Sequence, residues 1–148
     1  MTSPALQIAL AHHRAWTGKD LDLAMRYIAS DVVCDAPAGR IEGIQAYRNF
    51  LAPFAVRLLI KAEMIAAFGD DTTAMLMYDA ETIPAKSAPA AECVRVRDGK
   101  IVYNRFVFDR TPFDEFAAGR RRPLRDRAAV GEWPRWCTTS GWPARCGT

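Results

Sequence analysis

The sequence predicts an α+β domain in which a curved antiparallel sheet wraps around N-terminal helices and encloses a pocket. Three observations predict it. Apolar residues recur at helical spacing through the first third of the chain, four β-type runs follow one another after Arg57, and turn residues separate those runs at hairpin distance. With 148 residues, half of them apolar, the chain is long enough for one domain with a core and too short for two.

Ser3-Pro4 reads as a helix start, a capping hydroxyl followed by a proline whose missing N–H costs nothing in the first turn. The first helix is expected from Pro4 to Trp16, with Gly18 ending it. Asp20 can cap a second helix carrying Leu21, Ala24, Met25 and Ile28 on one face, with Ser30 and Asp31 at its end. The run Val32 to Asp35 is a short strand stopped by Pro37 and Gly39. A third helix is expected from Gly43 to Ala52, its face made by Ile44, Tyr47 and Leu51, and Pro53 ends or kinks it.

Strands are expected over Leu58 to Phe68, Thr72 to Ile83, Ala90 to Arg97 and Lys100 to Phe108. Gly69-Asp70-Asp71 joins the first pair and Asp98-Gly99 the last, the latter meeting the positive-φ demand of a two-residue hairpin loop. The connection from Pro84 to Pro89 is longer and looser. Thr111-Pro112-Phe113-Asp114 resembles a capping box and opens a short helix to Ala118.

Residues 119–148 hold seven arginines against two acids and three of the four tryptophans, with no sustained period, and read as a disordered basic tail after a domain of residues 1–118. The net charge of +3 therefore misleads, because residues 1–118 carry 13 basic and 15 acidic groups. A domain face that tracks phosphates is not expected, and nucleic acid is not expected as a partner; Arg120-Arg121-Arg122 with Trp133, Trp136 and Trp142 is too little to build one. No apolar run approaches the roughly 20 residues of a membrane span, and the first residues carry no secretory pattern, so a cytoplasmic protein is expected. Cys34, Cys93, Cys137 and Cys146 lack the close pairing of a zinc or redox motif; Cys34 and Cys93 read as small buried hydrophobes, and no metal is assigned.

Residues 15–51, AWTGKDLDLAMRYIASDVVCDAPAGRIEGIQAYRNFL, and residues 91–109, AECVRVRDGKIVYNRFVFD, resemble the SnoaL-like polyketide cyclases and ketosteroid isomerases of the nuclear transport factor 2-like superfamily. The resemblance covers residues 5–116 and implies a cone-shaped domain, a pocket for an apolar small molecule and a homodimer. It places the isomerases' substrate-facing tyrosine on His12, their neutral carboxylic acid on Glu92 and their proton-transferring aspartate on Ala36. Alanine cannot act as a base, and Asp35 points to the other side of a strand, which disfavours ketosteroid isomerisation by the usual route.

The alternation in residues 90–97 puts Glu92 with Val94 and Val96 on an apolar face, where a carboxyl group stays protonated and can donate. Asp109, at the end of the last strand, is a candidate proton acceptor or a helix cap. The helical wheel places His13 at the centre of the stripe of Leu6, Ala9, Leu10 and Trp16, whereas the resemblance favours His12. Asn104 shares a strand face with Phe106 and Phe108, which the resemblance turns towards the pocket; Tyr47, Tyr78, Met75 and Met77 are candidate wall, and Trp16 is candidate core.

Two functions follow. One is an acid/base isomerase or cyclase acting on an apolar cyclic substrate, polyketide- or terpenoid-like, with Glu92 as donor and Asp109 or His12 moving the proton, and with no cofactor. The other is a non-catalytic dimeric binding module. No phosphate-binding glycine loop, G-x-S-x-G or H-E-x-x-H is present, so nucleotide, serine-hydrolase and zincin chemistry lack support.

Overall fold

A computed structural model describes residues 3–121. The chain runs α1 (Pro4–Thr17), α2 (Leu21–Met25), β1 (Ile28–Ala36), β2 (Gly39–Glu42), α3 (Ile44–Pro53), a π-helical turn (Phe54–Leu58), β3 (Leu59–Gly69), β4 (Thr73–Thr82), β5 (Ala88–Arg97), β6 (Lys100–Phe108) and α4 (Thr111–Arg121). The six strands form one sheet in the order β2-β1-β6-β5-β4-β3. Only the β1–β6 pairing is parallel. The expected α+β class holds.

Local chemistry accounts for the element ends. The Ser3 hydroxyl accepts from the Leu6 N–H, and the Asp20 carboxylate accepts from the Leu23 N–H at 2.9 Å, as the capping residues predict. Gly18 closes α1 at φ −77°, and the left-handed step falls on Lys19 at φ 68°. A Cβ on Gly18 would meet the Arg14 carbonyl oxygen at 3.0 Å, so the glycine serves close approach and the lysine bears the strain. The Asp98-Gly99 loop has φ of 52° and 74°, the hairpin geometry expected of it.

Three expectations are corrected. The second helix stops at Met25, and Ile28 opens β1, where it pairs with Ile101 of β6. Helical spacing and burial on a sheet both suit Ile28, and the Tyr27 carbonyl that accepts from the Ile101 N–H decides for the sheet. The segment after Pro37 is not only a turn, because Gly39–Glu42 returns as an edge strand against β1. α4 runs to Arg121 rather than Ala118; the rest of the basic segment, residues 122–148, lies outside the described residues.

α1 lies across the concave face of the sheet and packs mainly on β4 and β3. Ala5 and Ala9 let the helix come close, and a Cβ on Gly69 would stand 2.8 Å from the Thr73 carbonyl oxygen and 3.1 Å from Leu6 Cβ. Trp16, Tyr47, Leu76, Ile101, Val32 and Val94 make the large pieces of the core between helices and sheet. Among the described residues, no helix is long and apolar enough to cross a membrane.

Candidate active site and ligand pocket

Strand alternation sends Leu76 and Tyr78 of β4, Glu92 and Val94 of β5, and Asn104 and Phe106 of β6 to the concave face. Glu92 faces Leu76 on one side and Phe106 on the other, which makes Tyr78 and Asn104 its diagonal neighbours. The Tyr78 hydroxyl donates to Glu92 Oε1 at 2.8 Å, and Asn104 Nδ2 donates to Glu92 Oε2 at 3.1 Å. The same amide donates to the Tyr47 hydroxyl oxygen at 2.9 Å, and that hydroxyl lies 3.4 Å from His12 Nε2. One polar chain thus ties α1, α3, β4, β5 and β6 together, and every member of it is buried.

Burial sets the protonation of this chain. It pushes the Glu92 carboxyl up to about 7, against the opposing pull of the Tyr78 and Asn104 hydrogen bonds. It lowers His12 to about 3, with neighbouring His13 adding to the effect, and it lowers His13 to about 4, with Arg14 adding to it. Both imidazoles are therefore neutral at pH 7. The Tyr47 hydroxyl accepts from Asn104 and meets His12 Nε2 at 3.4 Å, and the tautomer of the neutral imidazole sets which of the two donates. The Tyr78 and Tyr47 hydroxyls are raised well above their usual range, first by burial and then by Glu92.

Beside this chain a cavity of about 270 Å³ opens between α1, α3, the π-helical turn and the sheet. Trp16, Phe50, Phe54, Tyr78, Phe106 and Phe108 give it aromatic walls, and Ala80, Ala88 and Ala90 keep it open on the strand side. α4 contributes Phe113, packed edge-on to Phe54 and Phe108 with ring centroids 5.7 Å and 6.0 Å away. Arg110 and Asp114, paired at 3.1 Å, stand at the rim. Tyr78 joins the two halves of the site, with its ring on the cavity and its hydroxyl on Glu92.

The sequence candidates divide accordingly. Tyr78, Phe106 and Phe108 line the cavity. Glu92, Asn104, Tyr47 and His12 meet in the polar chain behind it and are not among the lining residues. Asp109 does not join them: its carboxylate is exposed, accepts from the Thr111 N–H at 2.9 Å, and is held below the usual range by that bond. Asp109 thus holds the first N–H of α4 from just outside the helix, whose first intrahelical bond runs from the Asp114 N–H to the Arg110 carbonyl. Met75 and Met77 are not wall, because β4 turns them to the convex face. Asp35 also faces outwards, accepting from the Tyr103 hydroxyl at 2.8 Å, as its place beside Ala36 predicts.

The disagreement over the histidines dissolves, since both are buried. His12 meets Tyr47, while His13 lies 4.5 Å from the Tyr78 ring and 5.1 Å from Trp16. Four aromatic wall residues were not foreseen as such: Trp16, Phe50, Phe54 and Phe113. Trp16 showed only a core spacing, Phe54 sits in a π-turn after a proline, and Phe113 reaches the cavity through the direction α4 takes.

The model of the SnoaL-like domain family matches residues 9–104. Among solved structures, a protein of Kribbella flavida DSM 17836 is 55% identical, covering 79% of this chain and 96% of its own with a TM-score of 0.75. An NTF2-like protein of Cytophaga hutchinsonii ATCC 33406 is 18% identical over 77% of this chain and 96% of its own, with a TM-score of 0.65. A computationally designed 17-OHP binder is 19% identical over 74% of this chain and 93% of its own, with a TM-score of 0.62. The last two likenesses carry the fold alone. No curated protein matches the chain.

Proposed function

The chain belongs to the SnoaL-like domain family and has the NTF2-like fold, and from that premise we propose that it holds an apolar cyclic small molecule between the helices and the sheet. The observation that carries this reading is the cavity itself, about 270 Å³ with aromatic walls and its charged pair confined to the rim. Aromatic faces on several sides favour a flat, ring-bearing ligand of the polyketide or terpenoid kind. The fold suits such a use, as a designed 17-OHP binder of the same fold illustrates. Calorimetric titration with tetralin, a bicyclic apolar probe, tests it: the native chain binds saturably, and Ala90→Phe, which fills the cavity, abolishes binding. Absence of binding to the native chain, or equal binding to both, sinks the reading.

A second reading, acid/base turnover in the same cavity, is favoured by the link from the cavity wall through Tyr78 to a carboxyl group titrating near 7. Turnover would have the Tyr78 hydroxyl give its proton to a ligand carbonyl oxygen and take the Glu92 proton in its place, while solvent removes the proton from the adjacent carbon. Exchange of the protons beside the carbonyl of 1-tetralone in D₂O measures this: catalysis by the native chain and its loss in Glu92→Gln support turnover, whereas no acceleration leaves a binding module. The outer sheet face, with Met75, Met77 and Val107 exposed, is the surface we assign to a second copy of the chain.

A further inference from the structure

We propose that Arg110 anchors the ligand at the mouth of the cavity, its guanidinium receiving a carboxylate carried by an otherwise apolar ring system. The inference rests on the reading of the cavity as a small-molecule site and adds to it the ligand's polar group and its direction in the pocket. Among the residues that line the cavity, Arg110 and Asp114 alone are charged, and both stand at the rim. Deeper in, the Tyr78 hydroxyl is engaged with Glu92, and the Trp16 indole nitrogen is buried out of contact with solvent. A polar group pushed among those walls would lose its water without replacement. The rings therefore enter first, and the polar group stays at the rim.

The alternation of β6 continues past the end of the strand. Phe106, Phe108 and Arg110 all line the cavity, while Asp109 between them turns its carboxylate to the Thr111 N–H. The Arg110 carbonyl accepts from the Phe113 and Asp114 N–H groups at 3.0 Å and 2.9 Å, which fixes the root of its side chain. One hydrogen bond, from Nη2 to Asp114 Oδ1 at 3.1 Å, holds the charged pair. An exposed pair of this kind is worth little, and a single contact leaves unused the paired N–H groups with which a guanidinium grips a carboxylate. A ligand carboxylate held over the mouth by rings in the cavity can therefore take the fork from Asp114. The anion on Arg110 is favoured over a cation on Asp114, because the Arg110 side chain is 42% exposed against 59% for Asp114. Arginine is the member drawn further into the wall, with an apolar stem and a weakly hydrated head.

The test uses the full chain at neutral pH and probes of one skeleton: tetralin, and tetralin with a carboxylate or an amine at the same ring carbon. Measured by calorimetry, Arg110→Gln, which keeps much of the stem, weakens the carboxylate roughly fivefold and leaves tetralin within about twofold. Asp114→Asn, which removes the competing anion, tightens the carboxylate roughly threefold. The native chain gives a readout that needs no substitution, because added salt weakens the carboxylate and does not weaken tetralin. Equal weakening of tetralin and its carboxylate by Arg110→Gln, or of neither, overturns the Arg110 assignment and leaves the cavity reading standing. Tighter binding of the amine than of the carboxylate, lost in Asp114→Asn, overturns it in favour of Asp114. Failure of both tetralin and its carboxylate to bind the native chain overturns the cavity reading as well.

Discussion

Glu92 carries a proton that burial, not sequence neighbours, decides, and the same burial keeps His12 and His13 unprotonated. Their effects on stability oppose each other. Between the unfolded carboxyl value of 4.5 and the folded value of about 7, the folded chain keeps a proton on Glu92 that the unfolded chain has lost, so its contribution falls as pH rises. Below the unfolded imidazole value of 6.5, the unfolded chain binds protons at His12 and His13 that the folded chain refuses until about 3 and 4, so their contribution falls as pH falls. Two imidazoles outweigh one carboxyl between 4.5 and 6.5, which places maximal stability near pH 6.5. Denaturant melts of Glu92→Gln should rise more steeply with pH across that window, by about 1.4 kcal/mol per unit, and lose the fall above it. An unchanged pH profile would mean that Glu92 is ionised or hydrated in the folded chain. Tyr78→Phe removes one of the two hydrogen bonds that pull the Glu92 value down, and NMR titration should find the carboxyl above its native value of about 7. The sequence let Glu92 be read because an acid broke an apolar alternation. Its partners Tyr78 and Asn104, and Tyr47 beyond Asn104, could be suspected only singly, since their meeting depends on a register between strands and a helix that spacing along one chain does not encode.

Element ends show where local chemistry is enough and where it is overruled. Ser3, Asp20 and Asp98-Gly99 act where the sequence placed them, because a cap or a tight turn needs only its own few residues. Ile28 and the Gly39–Glu42 strand escaped the same reading, because an apolar residue at helical spacing and a four-residue edge strand acquire their identity from the neighbour they pair with. Lys19 is the converse case, a position where local chemistry is worse than it need be. It holds φ at 68° directly after a glycine that does not take the left-handed step itself. Lys19→Gly should therefore stabilise the chain by about 0.5–1 kcal/mol, read as a raised melting temperature without a change in tetralin affinity. Asp109 belongs to the same scale. It holds the first N–H of α4, which carries Phe113 onto the cavity, so Asp109→Ala should lower the melting temperature and weaken tetralin binding through a loosened α4. If Asp109 instead serves as the base of the site, the same substitution abolishes exchange on 1-tetralone while leaving tetralin binding intact.

At the scale of the molecule, the sheet divides its duties between two faces. The concave face carries the polar chain and the cavity, whereas across the convex face Phe68, Met75 and Cys93 stand in one register row, and Ala66, Met77, Ala91 and Val107 in the next. Phe68, Met75, Met77 and Val107 are about half exposed or more, an apolar band that a chain in isolation leaves facing water. On one flank lie Arg95, stacked 5.3 Å over the Tyr103 ring, and Arg105, 3.8 Å from Asp35. The other flank holds Glu63 and Asp79, paired across β3 and β4. A second copy related by a two-fold axis through the band would bury the apolar rows against themselves and bring the arginine flank of each copy over the acidic flank of the other, which is the self-complementarity an isologous interface requires. The alternative lies in the chain itself, since residues 122–148 carry three tryptophans and lie outside the described residues. Sedimentation equilibrium separates the two. The native chain should sediment as a dimer, and Met77→Lys with Val107→Glu should give a monomer that still binds tetralin, because neither substitution reaches the concave face. A native chain that is monomeric at all concentrations removes the second copy from the convex face. The functional reading would then survive on the concave face alone, whose cavity and hydrogen bonds all lie within one chain.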